Sequence, residues 1–115
     1  ENRRPNFTLT GAGTYVKSGA GNLSMGWDGG ASVAMASGAL IDITEGSIRL
    51  EYGALTTWTN NKSDLSINFG ANLDLWDNNN GGVFVDALNG GGSVVRSSGT
   101  GPAESSLGMT ARRSV

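Results

Sequence analysis

The sequence predicts an all-β fold of short strands stacked coil upon coil, and three observations lead to it. One phrase occurs three times: Asn22-Leu23-Ser24-Met25-Gly26-Trp27 returns as Ser47-Ile48-Arg49-Leu50-Glu51-Tyr52 and as Asn72-Leu73-Asp74-Leu75-Trp76-Asp77, with starts 25 residues apart both times. Within each copy the apolar residues (Leu23 and Met25, Ile48 and Leu50, Leu73 and Leu75) alternate with polar or small ones. That is the period of a strand with one buried face. Gly supplies 19 of the 115 residues while Pro occurs only twice, which fits many tight turns between such strands. A fixed period in the twenties is the signature of a solenoid. Like strands of successive coils then lie above one another, roughly 4.8 Å apart.

Taken in order, Glu1–Asn6 is a polar lead-in and Phe7-Thr8-Leu9-Thr10 alternates as a first strand. Gly11-Ala12-Gly13 turns the chain into a second strand over Thr14–Lys17, and Ser18–Gly21 leads to the first copy of the phrase. Asp28-Gly29-Gly30 is a turn signal. Ser32–Met35 follows as a strand with Val33 and Met35 inward, then Leu40–Thr44 as another, before Glu45-Gly46 connects to the second copy. Leu65-Ser66-Ile67-Asn68 precedes the third copy as Ile41-Asp42-Ile43-Thr44 precedes the second, with Ala71 a one-residue insertion. Val83-Phe84-Val85-Asp86 follows the third copy much as Val33–Met35 follows the first.

Three strands per coil of about 25 residues, over roughly four coils, is the three-sided section of a short parallel β-helix. An antiparallel β-sandwich with Gly hairpins is the alternative; it does not require a 25-residue register between like strands, whereas the β-helix does. The chain reads as one module over 1–115, with a repeat core over 7–96 and a polar tail or cap over 97–115. In that tail, after a strand at Ser93–Arg96, Leu107 and Met109 are placed to cover the open end of the core. Thr56–Asp64 interrupts the pattern. Where a third strand is due, the chain offers Thr56-Thr57-Trp58-Thr59-Asn60-Asn61-Lys62, whose core face would be poor.

Composition removes several function classes. The net charge is −2 with both signs scattered, and the basic pairs Arg3-Arg4 and Arg112-Arg113 lie at opposite ends, so nucleic acid is not an expected partner. No run approaches the ~18 apolar residues of a membrane-spanning helix. Cys and His are both absent, which removes thiol catalysis, disulfides, His-based triads and nearly all zinc or iron sites. Asp77–Gly82 lacks the alternating acidic ligands and closing Glu of a calcium loop and reads as an Asn/Gly turn. Asp42, Glu51 and Asp74 lie on neighbouring strands, but Arg49 is in frame one coil from Asp74, so an ion pair explains them better than paired catalytic carboxylates. A β-helical lyase or hydrolase would also need many more coils to form a cleft. No enzyme activity, catalytic residue, metal or cofactor is therefore expected. The chain opens at Glu1 without Met, as a processed product or an excised domain would.

Binding is left to the tryptophans. Trp76 is on the side opposite Leu73 and Leu75 and should point outwards. Trp58 lies in the polar Thr/Asn excursion with no core evident. Trp27 shares its frame with Tyr52 on the core side at the end of a strand, a position that suits a corner filler, while Asp28 beside it suits a ligand platform. An exposed indole offers a flat apolar surface for a pyranose ring, while neighbouring Asp, Asn and Thr bond its hydroxyls. The expected carbohydrate-binding set is Trp58, Trp76, Trp27, Asn60, Asp77 and Asn79, with polysaccharide as partner. A filament or stalk would instead bury the tryptophans at coil corners and join its coil ends to like copies or neighbouring domains.

Two stretches carry a family resemblance. Leu9-Thr10-Gly11-Ala12-Gly13-Thr14-Tyr15 and Ser18-Gly19-Ala20-Gly21-Asn22-Leu23-Ser24-Met25 look like the "TGAGTL" phrase of the autotransporter-associated β-strand repeat. Ala71–Leu75, followed by Ala87-Leu88-Asn89-Gly90-Gly91-Gly92-Ser93-Val94, is similar to that family's closing phrase. The resemblance covers Phe7–Val95. It implies a right-handed parallel β-helix, the hand that crossovers between parallel strands usually take, in a secreted or surface-exposed bacterial protein. It implies no activity, since such modules serve as stalks, adhesins and polysaccharide-binding units. The Trp-bearing turns depart from the plain stalk repeat and favour the binding role; the structural or adhesive repeat is the alternative.

Overall fold

The computed structural model describes residues 8–25, 31–50, 57–76, 83–97 and, as a backbone strand, 107–109. Twelve strands are present among them: β1 (Thr8–Gly11), β2 (Thr14–Lys17), β3 (Asn22–Met25), β4 (Ser32–Met35), β5 (Leu40–Ile43), β6 (Ser47–Leu50), β7 (Asp64–Ile67), β8 (Asn72–Asp74), β9 (Val83–Val85), β10 (Leu88–Asn89), β11 (Ser93–Val95) and β12 (Leu107–Met109). The protein is all-β, and every strand pairing is parallel. The antiparallel sandwich alternative does not fit these pairings.

The strands fall into three ladders that the chain visits in rotation. The second ladder runs β2-β5-β7-β10 and the third β3-β6-β8-β11. The first is made of β1-β4 and β9-β12, joined through Thr57, which bridges Ser32, and Trp58, which bridges Val83. The threefold phrase is the third ladder itself. Asn22, Ser47 and Asn72 pair in line, as do Leu23, Ile48 and Leu73. The expected equivalence of Ile41–Thr44 with Leu65–Asn68 is the β5–β7 register, Ile41 on Leu65 and Ile43 on Ile67. At the tail, Leu107 pairs with Val83 and Met109 with Val85.

Alternation decides which side chains fill the space between the ladders. Val33, Met35, Ile41, Ile43, Ile48, Leu50, Leu65, Ile67, Leu73, Leu75, Val83 and Val85 form one buried cluster, and the residues between them along each strand face outwards. Columns of like apolar side chains one strand spacing apart keep each layer in van der Waals contact with the next. At the first strands the column residues Leu9, Tyr15 and Leu23 are only half-buried, because they pack against the cluster from one side. Burial raises the Tyr15 phenol above its ordinary pKa of 10.0.

Lys17 continues the column of Ile43 and Ile67 at that end. A bare ammonium on the end of an apolar column would be costly. Its Nζ turns aside instead and donates to the carbonyls of Ser18 (2.9 Å), Gly19 (2.8 Å) and Glu45 (3.2 Å). Glu45 closes the same corner by accepting from the Gly19 N–H at 2.9 Å.

The excursion at Thr56–Asp64 corrects one expectation. Thr57 and Trp58 do supply the missing strand, and their register places Trp58 in line with Val33 and Val83. Trp58 is 0% exposed and is the largest side chain in the core. The strand stops there, because Thr59 and Asn60 turn away. The ladder bonds they abandon are taken over by the buried side chain of Asn61. Val33 N donates to Thr57 O, so the same pattern two residues on would send Met35 N to Thr59 O. Met35 N donates to Asn61 Oδ1 instead, at 3.0 Å. On the other side Asn61 Nδ2 donates to Phe84 O at 2.9 Å, where the Asn60 N–H would have reached had the strand continued. The carboxamide stands in for the missing peptide, and the buried hydroxyl of Ser63 holds it in place at 2.9 Å from Nδ2.

Candidate functional site

The third ladder turns a polar face to solvent. Its two outward columns are Asn22, Ser47, Asn72 and Ser93, and Ser24, Arg49, Asp74 and Val95. In the first column Ser47 Oγ donates to Asn22 Oδ1 at 2.6 Å, and Asn22 Nδ2 donates across to Ser24 Oγ at 2.9 Å.

The second column ends at an aromatic turn. Asp74 is outward by alternation yet only 5% exposed, because the groups around it cover it. Its Oδ1 accepts the Trp76 N–H at 2.9 Å and the Ser97 N–H at 3.1 Å; its Oδ2 accepts the Ser97 hydroxyl and lies 3.5 Å from Arg49 Nε. A carboxylate bonded to the backbone two residues on is the usual device for holding a tight turn. Here it holds Trp76 at φ 52°, the one non-glycine residue with positive φ among those described. Burying a carboxylate is tolerable when donors surround it, so the turn and the charge stabilise each other.

Arg49, whose side chain is 30% exposed, lies with its guanidinium carbon 4.0 Å from the centre of the Trp76 ring. Stacking of this kind is favourable for Arg on an indole. From the following circuit Arg96 Nη1 approaches the Trp76 carbonyl at 3.4 Å. Half-buried Trp76 is thereby fixed at the edge of the outer face, beside Arg49. The expected pairing of Arg49 with Asp74 is present, with Asp74 buried rather than exposed.

The other expected site residues fare differently. Trp58 is a core residue and is withdrawn as a sugar platform, for the register reason given above. Asn60 is exposed beside it but has lost its aromatic neighbour. Trp27, Asp77 and Asn79, with Glu51 and Asp28, lie outside the described residues. Asp42 faces outwards on the second ladder and Asp74 on the third, so these two carboxylates do not form a facing pair. Among the described residues no group of three or more acidic side chains is arranged to hold a metal ion, and no helix is long and apolar enough to cross a membrane.

Burial of Trp58 has a consequence for stability. Its Nε1–H is buried with no hydrogen-bond partner among the described residues, which costs about 1–3 kcal/mol. Trp58→Phe removes that orphan donor and keeps most of the apolar volume. It is expected to change the unfolding free energy by less than about 1 kcal/mol, whereas Trp58→Ala should cost about 4 kcal/mol. Urea denaturation of the two variants checks this; a Phe variant as damaged as the Ala variant would mean that the indole N–H is satisfied after all.

Comparison of the chain with models of known protein families, with characterised proteins and with solved structures gives no match. The likeness to the autotransporter-associated repeat therefore rests on the quoted phrases alone.

Proposed function

We propose that the chain is a short right-handed parallel β-helix that acts as a non-catalytic carbohydrate-binding module of a secreted bacterial protein, with Trp76 as its stacking platform. Three ladders visited in rotation, all pairings parallel and a 25-residue register between β3, β6 and β8 support the architecture. The observation that carries the function is the state of Trp76. A tryptophan at a φ that favours glycine is kept against a local cost of about 1–2 kcal/mol. Its ring lies at the edge of a polar outer face rather than in the core. Asp74 holds its backbone and Arg49 stacks on one face of the ring, so little side-chain freedom is lost when a sugar ring stacks on the other face.

The test is intrinsic fluorescence titrated with soluble xyloglucan, β-glucan, alginate and carrageenan. Trp58 is sealed in the core, so a saturable change reports on the tryptophans outside it. Trp76→Ala is expected to weaken binding at least tenfold and Trp76→Tyr to restore most of it. Wild-type affinity in Trp76→Ala, or no saturable response to any of the four, overturns the reading.

A second reading is a structural or adhesive repeat that associates through its ends. The half-buried Leu9, Tyr15 and Leu23 at the first strands favour it, and β1, β2 and β3 each have a pairing partner on one side only among the described residues. Lys17 counts against it at that end, because a copy docked there would cover a charged group. Concentration-dependent light scattering in place of the fluorescence response is the outcome this reading expects.

A further inference from the structure

Phe69 is the most exposed large apolar side chain among the described residues, at 91%. A single exposed hydrophobic residue is ordinary; the position of this one is not. It sits at the turn that opens the circuit of β8, and Trp76 sits at the turn that closes it. Between them the chain is extended, with Leu73 and Leu75 buried inward and Asn72 and Asp74 facing outwards. The extended part spans roughly 13 Å, and the whole contour from Phe69 to Trp76 no more than about 23 Å. Asn68, beside Phe69, is exposed. On the following circuit the same corner is Gly90-Gly91-Gly92, where a Cβ at Gly91 would stand 3.7 Å from Phe69 Cβ. No side chain rises from those three residues to cover that flank of the ring.

We infer that Phe69 is a second stacking platform of the same site, so that an oligosaccharide lies along β8 with one sugar ring on Trp76 and another on Phe69. The floor between the two rings is the outward polar face of the third ladder, where Ser47, Asn72 and Ser93 offer donors and acceptors to sugar hydroxyls. This extends, and rests on, the reading of Trp76 as a carbohydrate platform. The ligand class it names is a linear oligosaccharide of several residues, since a disaccharide reaches one ring but not both.

Calorimetric titration with gluco-, xylo- and manno-oligosaccharides of two to six residues, and with alginate oligomers of the same lengths, tests it on wild type, Phe69→Ala, Phe69→Tyr and Trp76→Ala. Because Phe69 is almost wholly exposed, its replacement leaves the fold intact, which circular dichroism verifies. Phe69→Ala is expected to weaken hexasaccharide binding about tenfold, to leave disaccharide binding unchanged, and to be rescued by Phe69→Tyr. Trp76→Ala should weaken both lengths. If Phe69→Ala binds every length like wild type while Trp76→Ala does not, the second platform is wrong and the Trp76 reading stands. Phe69-dependent binding to phosphatidylcholine vesicles with no length-dependent sugar effect overturns the inference in favour of a membrane contact. If wild type binds no oligomer of any length, both ideas fall together.

Discussion

Asn61→Ala is expected to lower the unfolding free energy by about 3 kcal/mol or more. The carboxamide bonds Met35 N on one circuit and Phe84 O on the next, so its removal strands a donor and an acceptor at once. Each stranded group costs about 1–3 kcal/mol, and the buried Ser63 hydroxyl loses its partner as well. No water reaches the site without opening the stack, since Asn61 is 1% exposed and Ser63 is 0% exposed. Asn61→Asp sharpens the test. A carboxylate keeps the shape and accepts from Met35 N, but it cannot donate to Phe84 O and it buries a charge. Protonation restores the donor, so the folded variant holds its proton more tightly than the unfolded chain, whose carboxyl titrates near 3.9. Relative to wild type, this variant should therefore be more stable at pH 4 than at pH 7. Urea denaturation at both pH values measures it, and equal deficits at the two would show that the carboxamide N–H is not needed.

Gly46→Ala is the second large effect, again expected to cost about 3 kcal/mol or more. Gly46 has φ +67° and lies at the corner between β5 and β6, on top of the corner before β3. A Cβ there would collide with the carbonyl oxygen of Gly21 and stand 2.7 Å from that of Gly19. Neither oxygen can give way cheaply, because Gly21 O accepts the Ser47 N–H and Gly19 O accepts from Lys17 Nζ. Gly38→Ala separates crowding from backbone preference. Gly38 also has positive φ, +91°, but nothing lies within 4 Å of its added methyl. That variant should lose only about 1 kcal/mol. Thermal or urea denaturation of the pair decides it, and equal losses would show that conformation alone, not the close stacking of corners, sets the cost.

Most of the architecture was legible because alternation is a physical requirement of strands with one buried face, and β3, β6 and β8 keep a 25-residue interval. The three copies of the phrase at Asn22, Ser47 and Asn72 announce the third ladder directly. The equivalence of Ile41 with Leu65 announces the second. The first ladder was harder to read at Thr56–Asp64. A strand of two residues has no alternation to detect, and a tryptophan among threonines and asparagines looks solvated unless the register of Val33 and Val83 is carried through it. Asn61 was hidden for a related reason: a polar residue is buried here because a strand ends, and nothing local in the sequence marks where the neighbouring strands need a donor and an acceptor. At the candidate site, the pairing of Arg49 with Asp74 followed from frame alone, whereas Trp76 lies in a left-handed turn past the end of β8, which alternation does not describe. Phe69 was missed because a lone apolar residue in an Asn-Phe-Gly turn carries no period, and its exposure depends on the glycines of the next circuit.

The 25-residue interval that separates β3, β6 and β8 in the third ladder bears on how such a protein can change its length. Duplication of one whole interval would return every side chain to its own column, add one inward layer between existing layers of the same chemistry, and move the two ends apart by about 4.8 Å. Intervals elsewhere run from 21 residues, Asn72 to Ser93, to 26, Thr14 to Leu40, so the turns absorb other lengths while each strand keeps its own alternation. Size can therefore be altered in whole steps without redesigning the interior, and each step would lengthen the outer polar strip by one row. A strip that grows in proportion to copy number offers a simple route from a short module to a longer one with more rows available for contact.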